Sequence, residues 1–535
     1  MQARHGYFAL LVALLAAGLA MTPPGAATAQ KRGGTLVYMV PASDAPSLDG
    51  HRETTFAMLH PMAPFYSLLV RVDPRSKGGA DIAGDLATEW KVSPDKLTYT
   101  FKIKPGVKFH NGSILTSKDV LASWQRIVFP AKGVLSARQP FFSMVESITA
   151  PDAHTIVFKL SFPSGAFMPA LASPFNFIYS ADVLAQDQHY YEKNVMGSGP
   201  FKLVQFIPGD KIVGERFADY HVTGLPFVDG FEAIYAPKEN VQVQAIRGGR
   251  AHGMFRGLPP AARDDLVNAM GTGVAVQEST WNCALLYSPN SYRKPWNDVR
   301  ARRALNLSLD RWAGSHYLSR IGIVKTVGGA VFPGHPLAPS QDQLKTLEGF
   351  WPDIQKSRAK ARELLKEAGV PEGFKFTFMN RNTDQPYKVV GTWLIDQFRQ
   401  IGLNATQEVV PTTQLWKRLR MPEGGDWDGT VHFNCQSLVN PTLDITPYTS
   451  QSEQNYSDFD DPVIDDLFTK QMREGDPAKQ KEMLWKLEQQ VYAQAGIIST
   501  LWWQRTVVLN SKLKYWEVTP SHFLNMQMES VWLDL

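Results

Sequence analysis

The chain has 535 residues and only two cysteines, Cys283 and Cys435, far apart in sequence. That excludes a disulfide-dense scaffold and a paired CxxC metal site. A single bridge and two separate buried thiols both stay open, the separate thiols being the default for a chain long enough to bury its own core. Beyond residue 29 no stretch matches the roughly 20 apolar residues that a membrane-spanning helix needs. Charge of one sign is lacking too. The formal net charge of +4 falls to +3 without Arg4, too little to call for a nucleic-acid or acidic-surface partner. HExxH, GxSxG, GxxxxGK[ST] and a GxGxxG after a strand are all missing, and the twelve histidines are scattered without a convincing i, i+4 metal pair. No metal and no cofactor is therefore expected. Catalysis is not expected either, although a triad dispersed along the chain leaves no motif.

What is present begins with a secretory signal over residues 1–29. Arg4 and His5 form a short polar start, Phe8 to Met21 an apolar run, and Ala27-Thr28-Ala29 a small-residue cleavage site. The mature chain is expected to begin near Gln30 and to be soluble. No cysteine follows the cleavage site to carry a lipid anchor. These features predict a freely diffusing protein in the periplasm.

Strand and helix patterns alternate after that. Leu97, Tyr99, Phe101 and Ile103 alternate with polar residues, and Pro105-Gly106 is expected to turn this strand into a hairpin toward Val107 and Phe109. The lysines between them read as a solvated face. Thr116 and Asp119 form a variant capping box for a helix carrying Val120, Leu121, Trp124 and Val128 on one side. Thr155 to Leu160 reads as another strand. Gly197-Ser198-Gly199 lacks the spacing of a nucleophile elbow and reads as a tight, close-packed turn, while His110 reads as a satisfied structural histidine.

In the second half, helices separate strands in the manner of a parallel sheet. Ala361, Leu364, Leu365 and Ala368 form a helical stripe that stops at Gly369, Phe374, Phe376 and Phe378 alternate as a strand, and Val390, Leu394, Phe398 and Ile401 form the next helix, ending at Gly402. With Ala405 to Val410 as the following strand, these make a βαβ unit. A late helix starts at an Asp476 cap with Pro477 at its first position.

Several stretches resemble a known family. GGTLVYMVPASDAPSLDG near the start, Asp81 to Ile127, Val195 to His221, NDVRARRALNLSLDR from Asn297 and the helix Lys356 to Val370 are similar to the extracytoplasmic solute-binding proteins of the peptide, opine and nickel class that serve ABC importers. The resemblance implies a fold of two α/β lobes around a ligand cleft, of the periplasmic-binding-protein type, plus an inserted α+β domain. Lobe I would use residues 30–59, 197–280 and 502–535, the insertion 60–196 and lobe II 281–501. A small-molecule solute and a cognate ABC permease in the inner membrane are the implied partners, and the protein would act as a monomer closing about a hinge. An ordinary di- or oligopeptide-binding protein is the alternative. A secreted hydrolase and a periplasmic chaperone are the readings from other classes.

Site residues follow partly from the resemblance. Arg381 ends a strand of the βαβ unit, at the sheet edge where open α/β sheets bind ligands. The dipeptide-binding branch of the family places an arginine there for the ligand's carboxylate. The same branch uses an aspartate before proline, after a later strand, for the ligand's ammonium. Here the strand Gly429 to Cys435 leads to Asn440-Pro441, an uncharged amide, with Asp444 nearby as a substitute. That exchange predicts a carboxylate-bearing solute without a free α-ammonium. Trp281, Trp502 and Trp503 lie near the expected lobe junctions and are expected to line the cleft unless they are ordinary core residues.

Overall fold

The computed structural model describes residues 30–74, 76, 81–421, 425–521 and 523–535. The secretory signal over 1–29 lies outside the described residues.

Lobe I is built on a four-stranded sheet in the order Thr35–Val40, Gly230–Tyr235, Lys211–Arg216, Phe201–Ile207. The first pair is parallel and the other two antiparallel. Leu36, Tyr38 and Val40 alternate into the core with no exposed surface, as a half-buried strand requires. Helix Phe56–Met62 packs on Thr35–Val40, and helices Glu239–Arg247 and Pro260–Met270 pack on each other.

The insertion holds a second antiparallel sheet, Ala87–Val92, Thr98–Ile103, Thr155–Leu160, Val145–Asp152. Helix Ser117–Val128 packs on it and carries the capping box of Thr116 and Asp119. The hairpin expectation needs correcting. Thr98–Ile103 pairs with the strand before it and with Thr155–Leu160, not with the residues after Pro105-Gly106. Those residues fold on themselves through a Lys108–Ile114 bridge, burying Val107 and Phe109 without extending the ladder. Gly197 and Gly199 do lie in a close-packed turn: a Cβ at Gly197 would sit 2.0 Å from the Phe65 carbonyl oxygen. His110 is buried there, with Nε2 3.2 Å from the Gly199 carbonyl. Burial holds its pKa down at about 4.

Lobe II carries a six-stranded sheet, Val324–Thr326, Ile498–Asn510, Val274–Pro289, Gly429–Cys435, Lys375–Arg381, Asn404–Val410. The βαβ unit is present: Lys375–Arg381 and Asn404–Val410 pair in parallel around helix Val389–Arg399. The remainder is mixed rather than parallel, because Val274–Pro289 runs antiparallel to both of its neighbours. Helical and strand periodicity cannot reveal strand direction.

Cys283 and Cys435 face each other in that antiparallel pair and form a disulfide, so the bridge, not the pair of separate thiols, is realised. Sheet register brings them together, and register across about 150 residues of chain is not visible in composition.

The strands Val274–Pro289 and Ile498–Asn510 connect the two lobes. They stay paired from Val274 opposite Asn510 to Tyr287 opposite Ile498, with the register broken between Thr280 and Ala284 and again between Ala284 and Leu286. The expected boundaries at 281 and 502 both fall inside these continuous strands. The irregularity lies where a hinge would bend.

Candidate ligand site between the lobes

The strands of both sheets end toward a common interior space. Thr35–Val40 leads into Pro41 and Ala42, and Lys375–Arg381 ends on Arg381 itself. Between them is a small cavity of about 10 Å³, lined by Pro41, Ala42, Phe56, Ala57 and Arg256 from one side and by Arg381, Thr383, Tyr387, Thr412 and Phe433 from the other. Ligand sites of open α/β sheets lie at this edge. That is room for about one water, far below the roughly 300–1,000 Å³ of an occupied small-molecule site, so a solute enters only with the lobes apart.

Arg381 is 5% exposed, and its Nε and Nη2 have no hydrogen-bond partner. Its guanidinium carbon lies 4.3 Å from the Tyr387 ring centroid, 5.0 Å from Phe433 and 5.1 Å from Trp416. Burial pulls its pKa below the usual arginine value. Arg256 has the same character on the opposite wall. It is 5% exposed, its Nε and Nη2 are likewise unpartnered, and it lies 5.1 Å from the Tyr387 centroid and 4.9 Å from Trp503. Burial, helped by the charge of Arg381, brings its pKa down to about 10. Buried His432 feels the same field: burial first and Arg381 next hold it neutral, with a pKa of about 3.

Among the described residues no carboxylate lines the cavity. Glu53 lies near Arg381 but is buried 3.7 Å from Arg420, while Arg138 donates to its backbone carbonyl. Asp44, two residues beyond Ala42, accepts a hydrogen bond from Thr413 at 3.4 Å and keeps Oδ1 buried and unpaired. Burial raises its pKa.

Of the residues singled out in the sequence, Arg381 lines the cavity and Trp503 touches it through Arg256. Trp281 packs behind, 5.0 Å from Trp503 and 4.9 Å from the Arg505 guanidinium. Trp502 faces lobe II, donating from Nε1 to the Gly329 carbonyl at 3.0 Å. Asn440 is not brought to Arg381. Its Oδ1 accepts from the backbone N–H groups of Thr442 and Leu443, capping the short helix Pro441–Ile445, and the residue borders a separate groove shared with Tyr99, His335 and Arg473. Asp444 does not replace it, being buried with Oδ2 accepting from Phe332 N–H at 3.0 Å. Arg256 and Tyr387 were missed. One signal for Arg256 was available, since Met254, Phe255 and Leu258 around it are all buried apolar residues. Among the described residues no cluster of three or more His, Cys, Asp or Glu side chains could hold a metal.

Comparison with known proteins agrees with this architecture. The glutathione-binding protein GsiB of Pectobacterium atrosepticum is 28% identical over 319 residues, 59% of this chain and 59% of that protein. GsiB of Escherichia coli O1:K1 / APEC is 26% identical over 476 residues, 84% and 85% of the two chains. The periplasmic binding protein DppA from Helicobacter pylori, solved in complex with the peptide STSA, superposes with a TM-score of 0.81 over 94% of this chain and 99% of its own, at 24% identity. Residues 81–456 match the model of the bacterial extracellular solute-binding proteins, family 5. With two α/β lobes, an inserted domain and a cavity between them, the chain belongs to that family, the peptide, opine and nickel class of ABC-importer binding components.

Proposed function

We propose that the protein captures a carboxylate-bearing, non-peptide solute in the periplasm, closes its lobes over it and delivers it to an inner-membrane permease, with Arg381 as the carboxylate's partner. The observation that carries this reading is the pair of unpartnered donors on buried Arg381. A buried guanidinium without a counter-charge is costly, and its planar edge matches the two oxygens of a carboxylate. The lack of a carboxylate among the lining residues supports the second half of the reading, that the solute carries no α-ammonium. Nothing in the reading requires a covalent step.

A peptide ligand is the second reading, favoured by one observation. The unpaired Oδ1 of Asp44 is a carboxylate oxygen close to Ala42, able to meet an ammonium reaching beyond the cavity wall. The glutathione-binding relatives lean the same way.

Native mass spectrometry of the protein purified without denaturation, followed by identification of the released solute, tests both. An anionic solute without an α-amino group, released chemically unchanged, is the expected result. Tight binding of unmodified di- or tripeptides, unaffected by Arg381→Ala, would sink the first reading.

A further inference from the structure

The cavity contains a feature that one carboxylate does not use up. Arg256 and Arg381 come from different lobes, and each leaves the same pair of donors free, Nε and Nη2. Those two N–H groups form one side edge of a guanidinium. A single carboxylate placed in parallel on such an edge satisfies it fully. Two free edges therefore ask for two anionic groups.

The remaining surroundings do not supply them. Arg381 has ring faces of Tyr387, Trp416 and Phe433, and Arg256 those of Tyr387 and Trp503. Ring faces attract cations but leave in-plane N–H donors unpaired, and they offset only part of the desolvation. Arg256 has a long contact from Nη1 to the Pro41 carbonyl at 3.5 Å and lies beside the Tyr387 hydroxyl, both neutral acceptors that bring no counter-charge. Glu53 is held beside Arg420 and Asp44 by Thr413, and neither lines the cavity. The two guanidinium carbons lie 5.1 and 4.3 Å from one ring centroid, so they also repel each other across Tyr387.

We infer that Arg256 and Arg381 bind two separate anionic groups of one compact solute, so that the cargo class is a small dicarboxylate or its dianionic equivalent. This rests on the carboxylate reading of Arg381 and extends it with a second anchor on the opposite lobe. Such a solute joins the lobes by a charge pair at each end. A monoanion leaves one buried arginine uncompensated and holds the closed form weakly.

The experiment uses the full mature chain and the series malonate, succinate, glutarate and adipate, each with its monomethyl ester, measured by isothermal titration calorimetry and thermal shift. The expected result is one chain length whose diacid binds at least tenfold tighter than its monoester. In Arg256→Gln and in Arg381→Gln that advantage disappears. A series in which no diacid exceeds its monoester by more than twofold overturns the two-anchor inference, and this arm needs no variant to fold. An advantage that survives Arg256→Gln overturns it as well. Monoester binding that is lost in Arg381→Gln, without any diacid advantage, leaves the single-carboxylate reading standing alone. Monoester binding indifferent to Arg381→Gln removes the carboxylate reading itself.

Discussion

Arg256 and Arg381, from opposite lobes, share the ring of Tyr387, their guanidinium carbons 5.1 and 4.3 Å from its centroid. Tyr387 is buried, and it follows the strand Lys375–Arg381 closely enough for the same segment to supply both cation and ring. The ring holds two like charges at one junction while the lobes are together.

Replacing that ring separates its face from its hydroxyl. Tyr387→Phe keeps the π face and is expected to bind the cargo within about threefold of wild type. Tyr387→Leu keeps bulk but removes the face from two desolvated cations. At about 0.5–2 kcal/mol per contact, a loss on the order of tenfold or more is expected by calorimetry. Equal affinity in the two variants would exclude a role for the ring.

Truncating Arg381 is expected to be more severe. Arg381→Ala should weaken binding by on the order of 2–5 kcal/mol, the usual effect of breaking a buried charged pair. Arg381→Lys should recover only part, since an ammonium cannot present two parallel donors in one plane. Titration of both variants with the solute released from wild type gives the comparison. Full recovery by lysine would mean that charge alone, not the guanidinium edge, is recognised.

These effects concern residues of unequal visibility in the sequence. Local patterns were legible: the Thr116 cap, the stripe stopping at Gly369, and the phenylalanines of Lys375–Arg381 all follow from contacts within a few residues. Arg381 at the end of its strand was legible for the same reason. Pairing was not. The partner of Thr98–Ile103, the antiparallel course of Val274–Pro289 and the Cys283–Cys435 bridge depend on register between distant segments. Arg256 belongs with these, because only the packing of two lobes sets it opposite Arg381. Asn440 had a local reading that the family analogy obscured: Asn before Pro is also an N-cap and first-turn pair, the role it fills.

The disulfide ties the strand that crosses the lobe junction to its neighbour in lobe II. Closing so long a loop restricts the unfolded chain, so reduction, or the double substitution Cys283→Ser and Cys435→Ser, should lower stability by roughly 2–5 kcal/mol. Urea midpoints with and without reductant report it. Unchanged midpoints, with reduction verified by thiol titration, would show that the bridge adds nothing beyond the sheet.

Hinge bending should be visible at Trp503. It packs on Arg256 from one lobe and on Tyr387 from the other, with ring centroids 5.8 Å apart in the latter pair. Opening separates these partners, so cargo should change tryptophan fluorescence and reduce the radius of gyration together. The change should be muted in Trp503→Phe. Scattering that stays fixed at saturation would contradict closure.

The final prediction concerns pH and lies away from the cavity, in the core of lobe II. Asp444 and Glu488 are fully buried and hold one loop: Asp444 Oδ2 accepts from Phe332 N–H and Glu488 Oε1 from Val331 N–H, each at 3.0 Å. Among the described residues neither has a cation within salt-bridge distance, and the nearby titratable groups are the hydroxyls of Tyr448 and Tyr492 and, for Asp444, the Glu488 carboxyl itself. Burial raises Asp444 to about 8 and Glu488 to about 7, outweighing the backbone donors that favour the charged forms. The folded protein thus keeps protons that the unfolded chain releases near pH 4. By linkage this contribution is fully present below pH 4 and is lost as pH rises through about 7 to 8. Buried neutral histidines act oppositely. His51 and His432, both held near pKa 3, favour the folded state less as pH falls below their unfolded value of about 6.5. From about pH 4 to 6.5 the falling contribution of the two carboxyls therefore offsets the rising one of the two histidines, and above about 6.5 only the carboxyls act, so thermal stability should decline from about pH 6.5 to 8. Asp444→Asn with Glu488→Gln mimics the protonated pair, so it should flatten the alkaline limb and uncover a steeper histidine-driven loss below about pH 6.5. Melting curves of wild type and the double variant between pH 5 and 8.5 decide it. Parallel alkaline limbs would assign the decline to other groups.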